Sequence, residues 1–200
     1  MSKTLRLLIV AALGATVLIA SSASAQSFIE LQVPATPKAA PMLTGYLLKN
    51  FENSPFGLTS AFAITDNWAE AHAGLAWQPV PYLYFGSGLG LETGGGVTLG
   101  RLALNPGFFT ETASVTLLVE ANKQALKGDP YAVFYDFTAK KDVSAALTFG
   151  VKSRYGLGTG PLAEVRLNKT FAIWAAWTPY RWEITSWTPA NGVIGLRANM

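Results

Sequence analysis

The sequence predicts an all-β protein, an antiparallel up-and-down transmembrane β-barrel of about 12 strands, with ten as the competing count. Three observations predict it. Successive segments alternate apolar and polar residues with period two. The apolar face is uncharged, while charges of both signs collect on the opposite face. After an N-terminal leader, no apolar run reaches the roughly 18 residues of a helical span. A chain that is 50% hydrophobic and only 14% charged, built of such strands, turns its outer face to lipid.

Residues 1–25 have the pattern of a secretory signal. Lys3 and Arg6 form a basic start, Leu7 to Ala20 is apolar apart from Gly14 and Thr16, and Ala23-Ser24-Ala25 before Gln26 fits small-residue cleavage. The apolar core is short for a bilayer span and its downstream flank is rich in Ser and Ala, so export with cleavage is expected. Of 15 Lys+Arg and 12 Asp+Glu, Lys3 and Arg6 leave with this segment, so the mature chain has 13 basic against 12 acidic groups. That near-neutral balance argues against a nucleic-acid partner. The chain has no Cys, so neither a disulfide framework nor thiolate chemistry is expected. The remaining length, about 175 residues, suits one domain. Residues 26–42 read as a Pro-punctuated lead-in, and residues 43–200 as the barrel.

In the lead-in, Pro34, Pro37 and Pro41 follow a short alternating piece, Phe28 to Val33. A first strand, an internal plug and a loose tail all fit it. Leu43 to Glu52 is an irregular strand. From Gly57, Leu58, Ser60, Phe62 and Ile64 alternate with Thr59, Ala61, Ala63 and Thr65, and Asp66-Asn67 makes a turn. Between Trp68 and Gln78, Ala69, Ala71, Ala73, Leu75 and Trp77 oppose Glu70, His72, Gly74 and Gln78. Beyond the Pro79-Val80-Pro81 corner, Leu83, Phe85, Leu89 and Leu91 oppose Tyr82, Tyr84, Gly86, Gly88, Gly90 and Glu92. Glycine at alternate positions leaves room in a crowded interior or lets a strand bend.

Gly94-Gly95-Gly96 connects to Val97–Leu104, where Arg101 shares parity with Val97 and Leu99. A bulge or an interfacial, snorkelling Arg101 would account for that. Asn105-Pro106-Gly107 reads as a turn, and Phe108 to Glu120 as a longer strand. Asn122 to Pro130 is the longest charged connection, with Lys123, Lys127 and Asp129. The clearest alternation runs from Tyr131 to Trp177. Tyr131, Val133, Tyr135 and Phe137 are followed by a Lys140-Lys141 connection. Val143 to Lys152 places Val143, Ala145, Leu147, Phe149 and Val151 on one face, before the loop Ser153 to Gly160. Ala163, Val165 and Leu167 oppose Glu164, Arg166 and Asn168, and Asn168-Lys169 turns into Phe171, Ile173, Ala175 and Trp177. Trp182 to Trp187, a Thr188–Gly192 turn and Val193 to Met200 complete the chain.

Aromatic residues fall at strand ends. Trp68, Trp77, Phe108, Phe109, Tyr131, Trp177, Tyr180, Trp182 and Trp187 stand where belts at two membrane interfaces require them, while strand middles on the same face are Leu, Val and Ala. From about Leu43 onward, this combination of leader, dyad repeat, short turns and girdles resembles the small bacterial outer-membrane β-barrel proteins. That class includes OmpA-like membrane domains, OmpW-like proteins and narrow oligosaccharide porins. No motif of a particular family is present. The class commonly closes on a strand with a terminal aromatic, whereas this chain ends Arg197-Ala198-Asn199-Met200.

The candidate site is a lumen-facing polar network: Glu70, His72, Glu92, Asp136, Lys152, Glu164, Arg166 and Arg197. Charges enclosed in a low-dielectric interior pair with one another, because an isolated ion there is costly. Catalysis is not expected. His72 follows Glu70 by two positions, but Ala73-Gly74 comes next, and small barrel enzymes that deacylate lipid A resemble His-x-Ser at that point. Gly86-Ser87-Gly88 lacks the spacing and helix of a nucleophile elbow. Gly94-Gly95-Gly96 has no Lys-Ser/Thr partner for phosphate. One His and no Cys supply no metal cluster, so no metal or cofactor is expected. Asn168-Lys169-Thr170 matches a glycosylation acceptor by chance in a tight turn.

Two functions follow as expectations. The first is a non-enzymatic outer-membrane barrel, either a narrow passive pore or a structural envelope component. Its exterior would contact membrane lipid, with envelope proteins as further partners; the sequence assigns no oligomeric state. The alternative is a soluble exported β-barrel binding a small apolar ligand. It requires Leu147, Phe149, Val165 and Ile173 to face a cavity, with Glu164 and Arg166 in water.

Overall fold

A computed structural model describes residues 27–35, 39–125, 132–188 and 191–200. The leader 1–25, together with Pro37, Lys127, Asp129, Tyr131 and Pro189, lies outside the described residues. Twelve long antiparallel strands form a closed barrel. They are β1 (Phe28–Pro34), β2 (Met42–Asn50), β3 (Phe56–Ile64), β4 (Trp68–Val80), β5 (Leu83–Gly94), β6 (Val97–Phe109), β7 (Ala113–Asn122), β8 (Val133–Asp142), β9 (Leu147–Arg154), β10 (Gly158–Arg166), β11 (Phe171–Trp177) and, last in the chain, β14 (Gly192–Asn199). Two short strands, β12 (Tyr180–Arg181) and β13 (Ser186–Trp187), extend the hairpin between β11 and β14. Each long strand pairs with its neighbour in sequence, and β14 pairs with both β11 and β1 to close the ring.

The barrel therefore begins at Phe28 rather than Leu43. Of the three roles the lead-in admits, Phe28–Pro34 takes that of first strand, with Glu30 opposite Arg197 and Leu31 opposite Leu196. The count is twelve, not ten, because this strand pairs. The rim carrying the ends of β1 and β14 has the compact turns 51–55, 81–82, 110–112, 143–146 and 167–170. We call it the terminal rim. The opposite, loop rim carries the three longest connections, 35–41, 123–132 and 178–191, as membrane barrels distribute them. Gly95 and Gly96, with φ of 55° and 82°, form its tightest turn, a two-residue link that demands φ > 0.

Several boundaries differ from the sequence reading. Asn105-Pro106-Gly107 lies inside β6, and Phe108 and Phe109 end that strand. Pro106 faces outward where the β6–β7 ladder skips from Leu104↔Val119 to Gly107↔Thr116, so no ladder donor is required of it. The Asn105 amide donates to the Leu117 carbonyl at 3.2 Å, replacing the missing N–H. Lys140 and Lys141 continue β8 instead of ending it, one pointing in and the other out. β9 starts at Leu147. Val143–Ala146 form the turn, held by Ser144 Oγ, which accepts from the Ala146 and Leu147 amides. Arg101 causes no bulge and reaches no interface, for the β5–β6 register is unbroken from Leu83↔Phe108 to Gly94↔Val97. Arg101 points inward, and Leu102 and Leu104 carry the outer face.

Trp182–Trp187 forms a hairpin tip, a 3-10 turn at Trp182–Ile184 leading into the short β13. The tip leans on the outer wall over β8–β10. Trp182 Nε1 donates to Thr159 Oγ1 at 2.7 Å, and Glu183 Oε1 accepts from Tyr135 Oη at 3.2 Å and from the Gly156 amide at 2.9 Å.

The outer wall is apolar along its height. At outward positions of the twelve long strands the charged residues are Lys49 and Lys141, each next to its strand's last residue at the terminal rim. Leu31, Leu58, Leu75, Leu91, Leu102, Val115, Val165, Ile173 and Leu196 stand exposed between the rims. Aromatics ring the ends. Phe56, Trp77, Phe85 and Phe108 stand on adjacent strands toward the terminal rim, Trp77 stacking on Phe85 at 5.6 Å. Trp177 and Trp187 meet edge to face at 6.1 Å toward the loop rim. Such a wall is stable against hydrocarbon, and a cation at its midline is not. Leu89, 73% exposed in the middle of β5, tests this: Leu89→Lys is expected to lose about 2–4 kcal/mol in urea unfolding from lipid vesicles. Lys141→Leu at the rim should change little.

Candidate functional site: the barrel lumen

Strand parity sorts the charges. The lumen receives seven carboxylates, Glu30, Glu70, Glu92, Glu120, Asp136, Asp142 and Glu164, against six cations, Arg101, Lys140, Lys152, Arg154, Arg166 and Arg197. All eight residues singled out in the sequence point inward: Glu70, His72, Glu92, Asp136, Lys152, Glu164, Arg166 and Arg197. Seven of these line one cavity, and Glu92 sits beside it through Arg101. Glu30, Arg101, Glu120, Lys140, Asp142 and Arg154 join them. Glu120 was legible from its parity with Thr116. The others lay in segments read as lead-in, bulge, turn or loop.

The charges form two unlike walls. On β4–β7, Arg101 holds three carboxylates: Glu70 at 3.1 Å from Nε, Glu120 at 3.3 Å from Nη2, and Glu92 through Nη1. His72 Nε2 lies 3.1 Å from Glu120, a residue 0% exposed, and the Asn122 amide donates to Glu92 at 2.5 Å. One guanidinium neutralises only part of this cluster, so the wall is net acidic. The facing wall, β8–β10 with β14, carries the other five cations. Lys152 donates to Asp136 at 2.7 Å and to Thr138 at 3.2 Å. Glu164 accepts from Lys140 at 2.9 Å and from Arg197 at 3.1 Å, and Arg197 also reaches Glu30 at 2.7 Å. Arg166 pairs with Asp142 and donates to Thr148 at 3.0 Å.

Inward glycines make room for rings. A Cβ on Gly195 would lie 2.2 Å from Trp174 Nε1, the nitrogen that donates to Glu30 Oε2 at 2.6 Å. Gly86 likewise leaves space for Tyr84, whose hydroxyl meets that of Tyr46 near the terminal rim. Leu48, Ala76 and Phe109 pack around this pair. The space left over is a cavity of about 690 Å³ running along the lumen. Its lining combines carboxylates, cations, Ser114, Thr116 and Thr138 with Phe28 and Phe134. Among the described residues no His, Asp and Glu cluster is arranged to hold a metal ion. The arrangement presents hydrogen-bond donors and acceptors to the cavity, on an axis crossed by a field from the basic to the acidic wall.

A closed small barrel with an outer wall uncharged between its rims and a charged lumen has the architecture of bacterial outer-membrane porins, and comparison with solved structures bears on this fold. A KdgM porin solved in complex with disordered oligogalacturonate is 14% identical, with a TM-score of 0.52, covering 87% of this chain and 98% of that one. The NanC porin is 9% identical, with a TM-score of 0.54 and the same coverages. At these identities the likeness is one of fold. No protein-family model and no curated protein sequence matches the chain.

Removing one partner of a buried ionic cluster leaves the others uncompensated. Arg101→Met is therefore expected to destabilise the barrel by about 3–5 kcal/mol in urea unfolding. Adding Glu120→Gln should recover part of that loss. Gly195→Val should expel the Trp174 ring, costing about 1–3 kcal/mol in the same assay.

Proposed function

We propose that this protein is a narrow passive pore of the bacterial outer membrane, its wall against lipid and its lumen carrying small polar solutes without a catalytic step. One observation carries the reading: a cavity of about 690 Å³ lined by charges of both signs inside a wall whose charged outward residues stand only at strand ends. A structural plug has no need of such a cavity. The soluble ligand-binding alternative required the reverse sidedness; Val165 is 45% exposed on the exterior, and Glu164 is 5% exposed within.

The neighbour solved with oligogalacturonate supports a polar, sugar-sized cargo for this architecture. In this chain the near balance of seven carboxylates and six cations favours weak discrimination between anions and cations. Purified, refolded protein in planar bilayers should give small discrete conductance steps, with a reversal potential near zero across a KCl gradient. Silence across many verified insertions would remove the pore and leave an envelope component.

A further inference from the structure

We propose that Arg154 sets the bore of this pore by barring the lumen toward the loop rim, an inference that rests on the pore reading above. Arg154 is the last residue of β9, and its side chain passes β10, β11 and β14 to reach the far side of the barrel. There Nη1 donates to Gln32 Oε1 on β1 at 2.6 Å, and Nη2 lies 3.2 Å from the Met42 sulfur on β2. Its Cζ sits 5.4 Å from the centroid of the Phe134 ring, and Arg101 Cζ sits 5.9 Å from the same centroid. A continuous layer of side chains thus runs from the acidic wall, through Arg101, Phe134 and Arg154, to β1 and β2.

The cavity respects this layer. At the terminal rim its lining includes Lys169, Thr170 and Met200, which belong to a turn and the last strand's end. Toward the loop rim the lining stops at Gln32, Glu70, Glu120, Phe134 and Arg154, and no described loop-rim connection contributes. The lumen is open to one side and barred at the other.

Arg154 also differs from the other lumen cations in what holds it. Arg101, Lys140, Lys152, Arg166 and Arg197 each have a carboxylate oxygen within 3.1 Å. The nearest carboxylate oxygen to Arg154 is Asp136 Oδ2 at 3.7 Å, on a group whose other oxygen is engaged by Lys152 at 2.7 Å. Its two closer contacts are a neutral amide and a thioether. A long side chain held mainly by neutral acceptors exchanges those contacts for water more readily than an ion pair does. Its swing to the wall opens the path, and its return closes it.

Single-channel recording on the refolded protein reads this directly. Arg154→Gly should raise the unit conductance several-fold over wild type, and Gln32→Ala, which frees the arm without removing it, should lengthen open times. Equal conductance and open times in wild type and both variants would overturn the proposal while leaving the pore intact. If neither wild type nor variant conducts, the pore reading falls, and a second measurement decides the bar itself. The chain has no Cys, so Thr138→Cys places a single thiol in the lumen on the terminal-rim side of the layer. A bulky water-soluble maleimide added from the loop-rim side of oriented vesicles should label it several-fold faster when Arg154→Gly is also present. Equal labelling with and without that change would overturn the bar.

Discussion

The constraint on which the structure depends is that a sheet in hydrocarbon has no edge to spare. Water is absent from the bilayer core, so each strand must find a partner on both sides. Pairing of β1 with both β2 and β14 meets that demand and turns a ribbon into a ring. Once the ring closes, parity alone separates the two environments. The outer wall can then be Leu, Val, Ile and Ala, and every charge away from the rims has to go inward. The same constraint accounts for the repair at Pro106, where a side-chain amide takes over a ladder bond the backbone cannot make.

Enclosing more than a dozen ionisable groups is expensive unless they satisfy one another. The barrel answers with two clusters instead of one mixed core. Arg101 gathers carboxylates on β4–β7, and Glu164, Glu30 and Asp136 tie down cations on the facing wall. The uneven split, with carboxylates in excess on one wall and cations on the other, leaves a field across the lumen that an even distribution would cancel. Large rings seated over inward glycines, Trp174 at β11–β14 and Tyr84 at β5, take up part of the interior, and the remaining space is the cavity between the walls.

Much of this was legible before the structure. The alternation in Ala163–Leu167 and Phe171–Trp177 fixed faces correctly because nothing in those strands interrupts period two. The same logic failed where local chemistry looked like punctuation. Asn105-Pro106-Gly107 has the composition of a turn, yet its pairing with Tyr84–Gly86 on β5 makes it strand, and the skipped ladder position on β7 admits the proline. Lys140-Lys141 looked like a connection because a lone pair of cations is usually solvated, yet parity places one in the lumen and one at the rim. Phe28–Val33 admits several roles in the sequence because a first strand's partner, here Ile194–Asn199, lies at the other end of the chain. Arg154 could not be found from sequence at all: its partners Gln32 and Met42 are far away in the chain and neutral, so charge pairing offers no signal.

The hairpin tip that leans against β8–β10 makes the barrel unequal around its circumference. Among the described residues, Trp182, Ile184 and Trp187 add greasy surface to the wall on that flank, while the rim near β4–β6 ends in tight links. A body whose apolar height is greater on one flank minimises mismatch by leaning in the bilayer. The axis of the lumen is then inclined to the membrane normal, so that the added apolar surface of this flank lies within hydrocarbon.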